Sequence, residues 1–153
     1  MSIKQQIIAK NRKAHYNYFL EDTMETGVVL IGSEAKSLRL KTCNISESYA
    51  DVINGEIYIL NMNIPKYENS SAFSYYIPTK PRKLLLHKRQ IRKIIGKIKQ
   101  KGYTLVPLCV YFNEKNIAKI EIALAKGKKI YDKREDIKRK DWNRQQARIL
   151  KTK

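Results

Sequence analysis

The sequence predicts a mainly β fold: a small antiparallel barrel of about six strands with two or three flanking helices, from which a basic C-terminal tail extends. Three observations carry this. Ala118, Ile120, Ile122 and Leu124 alternate with Lys119, Glu121, Ala123 and Ala125, the period-two mark of a half-buried strand. Asn54-Gly55 joins two short apolar runs, and this pair suits a type I′ hairpin turn because both central residues need positive φ. Ile91, Ile94, Ile95 and Ile98 recur at helical spacing, which lays one narrow apolar stripe on a sheet.

In chain order, Met1 to Ala14 is polar and basic, and Asn11 to Asp22 has the aromatic spacing of a first strand. Gly27 to Ile31 is a second short apolar run. Ser33 is the expected cap of a brief helix through Leu40, with Ala35, Leu38 and Ile31 on its inner side. Tyr49 to Ile53 and Glu56 to Asn61 form the hairpin, and Pro65 to Pro81 reads as an irregular connection rich in Ser, Tyr and Pro. His87 to Lys101 is the amphipathic helix, ended by Gly102. Its outer face, with Lys88, Arg89, Arg92, Lys93, Lys97 and Lys99, suits a solvated surface and a docking surface equally. Tyr103 to Phe112 is a buried strand in which Pro107 requires an edge or a bulge, since proline cannot donate to a ladder. Asn113 to Asn116 turns the chain into the last strand, whose alternation stops at Gly127.

The barrel is therefore assigned to residues 1–125 and the tail to 126–153. From Lys126 onward there are 12 Lys/Arg and 4 Asp/Glu, with only Ile130, Tyr131, Ile137, Trp142, Ala147, Ile149 and Leu150 as scattered apolar residues. Too few share a helical face to bury a core, so the free tail is expected to be disordered and to order on a polyanion. Residues 1–76 carry 8 basic and 8 acidic side chains, while 77–153 carry 24 and 6, which accounts for the whole net charge of +18. Such asymmetry suits a polyphosphate partner, above all nucleic acid, where charge neutralisation releases counterions.

Lysine outnumbers arginine 23 to 9, which favours point-charge phosphate contacts over bidentate base reading. The longest apolar-rich run, Tyr103 to Phe112, is too short to span a bilayer and the N-terminus has no apolar signal core, so a cytoplasmic protein is expected. Cys43 and Cys109 stand alone, without metal-ligand spacing, and read as reduced, packed thiols. His15 and His87 have no nucleophile or metal-ligand context, and the acidic neighbours Glu21/Asp22 and Glu135/Asp136 point apart on any regular element. No catalytic residue, metal or cofactor is nominated. RNA binding fits better, because a small barrel with aromatics and a basic rim can stack unpaired bases and hold phosphates. Glu25 adds selectivity that lysines lack, as a carboxylate accepts from base amino groups or a 2′-hydroxyl.

Several blocks extend this reading: NRKAHYNYF (Asn11 to Phe19), GSEAKSLR (Gly32 to Arg39), NISESYA (Asn44 to Ala50), RKLLLHKR (Arg82 to Arg89), GYTLVPLCVYF (Gly102 to Phe112), KIEIALAKGKKIYDKREDIK (Lys119 to Lys138) and DWNRQQARILK (Asp141 to Lys151). Through them the chain resembles the SsrA-binding protein (SmpB) family, the tmRNA-binding partners of ribosome rescue by trans-translation. The resemblance implies an oligonucleotide-binding (OB-like) barrel that holds the tRNA-like domain of tmRNA. The pair would enter a stalled ribosome with elongation factor Tu, the protein standing in for the missing anticodon arm.

By motif matching, Asn11, Glu25, Leu85, Lys119 and Gly127 fall on tmRNA-binding positions, and Lys126, Lys128 and Lys129 beside Gly127 are counted with them. Tyr131, Asp132, Lys133 and Arg134 fall on decoding-centre positions, with Tyr131 as the stacking residue, while Ile137 and Trp142 lie in the segment that would become a helix in the empty mRNA channel. Leu85 suits a core position as well as an RNA-facing one, Gly127 a mere turn that frees the tail, and Tyr131 a ring folded back on the barrel. Between Phe73 and Arg82, Tyr75, Tyr76, Lys80 and Pro81 stand where the family has His and Arg, so no site is carried over there. The rival functions are a ribosomal-RNA-binding ribosomal or assembly protein and a small RNA-processing enzyme.

Overall fold

The computed structural model describes residues 6–68, 75–100, 102–128 and 130–151. Its strands are β1 (Gln6–Lys10), β2 (Tyr18–Val28), β3 (Tyr49–Ile53), β4 (Glu56–Leu60), β5 (Arg82–Leu85), β6 (Tyr103–Phe112) and β7 (Ala118–Gly127). Its helices are α1 (Ala14–Asn17), α2 (Gly32–Arg39), α3 (Lys88–Ile98) and α4 (Ile130–Lys151). The antiparallel order β6-β3-β4-β5-β2-β7 closes on itself through β6–β7 pairing, giving a six-stranded ring. Strand β1 lies outside this ring and pairs with the second half of β6, while β3 meets the first half at Ala50↔Leu105.

Local chemistry accounts for the ring. At the β3–β4 turn Asn54 has φ 51° and Gly55 φ 77°, the left-handed pair a two-residue hairpin needs, with Ile53 opposite Glu56. Pro107 sits in a strand paired on both sides, so its place is a bulge and not an edge: the β6–β7 register shifts between Pro107 and Cys109. The shift changes the inward parity, which is how Leu105 and Val110 both face the core. Ile57, Ile59, Leu84, Ile120, Ile122 and Leu124 join them, and α3 adds Ile91 and Ile94 with Ile95 and Ile98 partly covered. The amide of the α3 cap residue, His87, donates to Gln90 Oε1 at 3.0 Å.

Several expectations are corrected. The polar start contains β1, which sequence alternation does not reveal because its ladder partner is the outside half of β6 and Ile7 remains 41% exposed. The first strand begins later than Asn11, since Ala14–Asn17 makes one helical turn, and β2 then runs unbroken through Glu25 and Gly27. Ser33 lies inside α2 and does not cap it. Ile31 is the cap residue, its amide donates to Glu34 Oε1 at 3.1 Å, and the buried side of α2 is Glu34, Ser37 and Leu38. Ala123 and Ala125 do not face water: both are fully buried, and Ala125 forms a second small core with Ala14 and Val106 beneath α1.

Glu34 is buried because Arg82, also buried, meets it. The Arg82 Nε donates to Glu34 Oε2 at 2.5 Å, and its other nitrogens donate to the carbonyls of Met62 at 2.7 Å and Pro78 at 2.9 Å. Tyr76 donates to the Ile64 carbonyl at 2.8 Å and to Glu34, and burial, followed by the Glu34 charge, raises its pKa. This network ties α2, β5 and the connection before β5 into one unit.

The tail, expected to be disordered when free, has a helical conformation in α4. Its described side chains, Arg134 and residues 137–147, are all exposed, so no apolar face of that stretch is covered by the barrel. No described helix is long and apolar enough to cross a membrane.

Candidate nucleic-acid interface

Strands β6, β7, β2 and β5 lie side by side, and their register sets two rows of residues on the outer face. One row is Tyr111, Lys119, Gly27 and Leu85, and the other is Cys109, Glu121 and Glu25. Leu85 is 53% exposed, which decides between its two readings: it faces solvent. It lies across Gly27, where a Cβ atom would come within 3.3 Å of its side chain, so glycine lets Leu85 rest on the sheet without a rival side chain beneath it.

Glu25, Gly27, Leu85 and Lys119 line one open groove of about 540 Å³, together with Lys83 and Lys88. Lys83 is 3.8 Å from Glu56, which leaves the groove basic on balance and gives it carboxylate acceptors too. Glu25 is exposed and accepts a hydrogen bond from the hydroxyl of Tyr111, which is only 3% exposed. Burial first, and the Glu25 carboxylate second, push the Tyr111 pKa far up, so this hydroxyl stays protonated and donates.

A second group lies at the far end of β7. Lys119 and Gly127 are eight residues apart on one strand, about 27 Å at roughly 3.4 Å per residue. Gly127 remains paired, opposite Tyr18, and the Lys128 amide donates to the Asn17 carbonyl at 2.9 Å. The chain thus leaves the barrel after Lys128, and Gly127 is a strand residue and not the freeing turn. Lys126 and Lys97 approach the Tyr103 ring at 6.0 and 5.3 Å, and Lys128 approaches Phe19, itself 49% exposed, at 5.0 Å. Cations over half-open rings offer phosphate contacts beside a stacking surface. Lys129 lies outside the described residues.

The family model for the SmpB protein matches residues 8–152. The chain belongs to the SmpB family. An SsrA-binding protein from Afipia carboxidovorans is 55% identical over 146 residues, 95% of this chain and 92% of its own length. One from Rickettsia canadensis is 52% identical over 153 residues, covering both chains entirely. Among solved structures, a chain from work on tmRNA-SmpB and the bacterial ribosome is 44% identical, with a TM-score of 0.64 over 79% of this chain and 84% of the other. The OB-like barrel is thus the SmpB fold.

In this SmpB-family barrel the matched positions do not form one patch. Glu25, Leu85 and Lys119 come together in the groove, while Lys126, Gly127 and Lys128 lie at the root of the tail. Asn11 is elsewhere and buried: its Nδ2 donates to the Pro107 carbonyl at 3.0 Å and its amide to Leu108 at 2.8 Å, which splices β1 to the bulge of β6. It also borders a polar cleft with Lys13, Asn17, Ser46, Ser48 and Thr104. Tyr131, Asp132, Lys133 and Arg134 fall in the first turns of α4, with Arg134 exposed, and Ile137 and Trp142 are 42% and 61% exposed further along it.

Gly27 and Tyr111 were not among the sequence-nominated residues. A signal for both existed. Gly27 is two residues beyond Glu25 on the same strand face, and counting back from the Asn113–Asn116 turn sets Tyr111 opposite Lys119. Among the described residues, no cluster of three His, Cys, Asp or Glu could hold a metal ion. Burial pushes the Cys43 thiol up to about 12.

Proposed function

We propose that the chain is a tmRNA-binding adaptor for trans-translation: its barrel holds the tRNA-like domain of tmRNA and its tail acts at the vacant decoding site of a stalled ribosome. The observation that carries this is family membership along almost the whole chain, joined to the meeting of Glu25, Leu85 and Lys119 in one groove. Lys119 meets phosphate as a point charge, Leu85 packs on a sugar or base, and Glu25 accepts from an amino group or 2′-hydroxyl. The work is recognition and positioning, with no bond made or broken by this protein. Elongation factor Tu belongs to the delivery complex in this reading, and the compartment is the cytoplasm.

The test is competition binding at fixed, near-physiological salt, with the tRNA-like domain of tmRNA against excess bulk tRNA. The full chain and a chain ending at Lys128 should both prefer tmRNA strongly. If neither discriminates, and the protein stays on ribosomes through a high-salt wash, a permanent ribosomal-RNA binder is the better account. Salt is held constant because each phosphate contact with single-stranded RNA contributes about 0.7 to the log-log slope.

The tail acts later in this scheme. Tyr131→Ala should leave the affinity for free tmRNA within about twofold and lower peptide tagging on stalled ribosomes by roughly tenfold, the scale of one lost stacking contact. A large loss of binding to free tmRNA would contradict that division.

A further inference from the structure

We infer that Tyr111 is a positioning residue for RNA recognition, whose hydroxyl holds one oxygen of Glu25 so that the other is presented to a donor group on the RNA. This deepens the function proposed above and rests on it. Tyr111 is buried in β6 and does not line the groove; Glu25 does, from β2, two strands away. The bond between Tyr111 and Glu25 Oε2 therefore crosses β7 diagonally, from the row that contains Lys119 to the row that contains Glu121.

That crossing has a physical purpose. Glu121 is directly opposite Glu25 on β7, and like charges at paired positions repel. Left alone, the Glu25 carboxylate would swing away from Glu121 on a flexible side chain. The tyrosine supplies a charge-assisted donor from a rigid, buried ring, which fixes the carboxylate toward the Lys119 end of the face. One oxygen is then occupied and the other remains an acceptor. Groups that can use it are an exocyclic amine, a ring N–H or a 2′-hydroxyl, and phosphate oxygens cannot.

The consequence is a contact that reads RNA chemistry and not RNA charge. Tyr111→Phe keeps the packed ring and removes only the donor. It should weaken binding to the tRNA-like domain by roughly tenfold, as for one hydrogen bond to a charged group. The slope of log affinity against log salt should not change, because no phosphate contact is lost, whereas Lys119→Ala should lower that slope by about 0.7 to 0.9.

The deciding experiment is a cycle of Tyr111→Phe, Glu25→Ala and the double variant, measured against the tRNA-like domain, with the thermal midpoint followed in parallel. If Tyr111 acts through Glu25, the double variant binds no more weakly than Glu25→Ala. Losses that multiply, or a Tyr111→Phe chain that binds like wild type, would overturn the inference while leaving the adaptor reading intact. A wild-type chain with no preference for tmRNA would overturn both. Should Tyr111→Phe lower the thermal midpoint, Glu25→Gln, which keeps the acceptor oxygen facing Tyr111, gives the second measure: it should bind better than Glu25→Ala, and equal affinities would count against positioning.

Discussion

Arg82→Met is expected to destabilise the protein by about 3–5 kcal/mol, the cost of leaving one charge of a buried pair without its partner. Arg82 and Glu34 side chains are each only 1% exposed. No water can reach the stranded carboxylate, and the partly exposed Lys80, 3.5 Å away, is a weak substitute. The Met62 carbonyl loses the Arg82 donor as well, and the Pro78 carbonyl is left with the Ile64 amide at 3.1 Å. Against a typical total of 5–15 kcal/mol, the loss should lower the thermal midpoint by on the order of 10 °C. Urea unfolding of Arg82→Met, Glu34→Gln and the double variant checks the cause. The double variant should be more stable than Arg82→Met alone, since no uncompensated charge remains. A single-variant loss below about 1 kcal/mol would mean that the pair does not hold α2 to β5.

A chain ending at Lys128 should unfold at the same urea concentration as the full chain and bind the tRNA-like domain as well, yet give only background peptide tagging on stalled ribosomes. The cut spares every barrel strand, and the described tail side chains from Ile137 to Ala147 are exposed. A cut after Ala125 differs. It removes the pairings of Lys126 with Phe19 and Tyr103, of Gly127 with Tyr18, and of the Lys128 amide with Asn17. Three or four ladder bonds at roughly 0.5–1.5 kcal/mol each should cost that chain a few kcal/mol. Tagging that persists without the tail would sink the division of labour between barrel and tail. Marked destabilisation of the chain ending at Lys128 would make α4 part of the fold.

What was legible in the sequence follows from where information is local. The Asn54-Gly55 turn needs only its two residues, and α3 announces itself by four isoleucines within eight positions, so both were found at nearly their true bounds. Strand β1 was missed because its identity depends on a partner about a hundred residues away and its own pattern is mixed. The same holds for Ala125. Small residues on the second face of β7 mean a covering element, α1, which alternation alone does not disclose. Glu34 and Arg82 look like ordinary surface charges until the fold buries them against each other. In the groove, Glu25, Leu85 and Lys119 were named from motifs, but only the register of β5, β2 and β7 brings them together, and the same register, extended to β6, adds Gly27 and Tyr111.

The ring closes where β7 enters between β2 and β6, and its pairing of Tyr18 with Gly127 joins positions more than a hundred residues apart. Contacts of that span require the loop-closure entropy to be met before any reward, so this insertion should be a late and comparatively slow step in folding. Lys119 and the root of the tail are on this one strand. A nascent or damaged chain with β7 undocked therefore lacks the complete groove and the anchored tail together, whatever the state of the β3–β4 hairpin. In the adaptor role proposed above, RNA capture would be coupled in this way to completion of folding, and refolding followed by tmRNA binding should report a lag equal to ring closure.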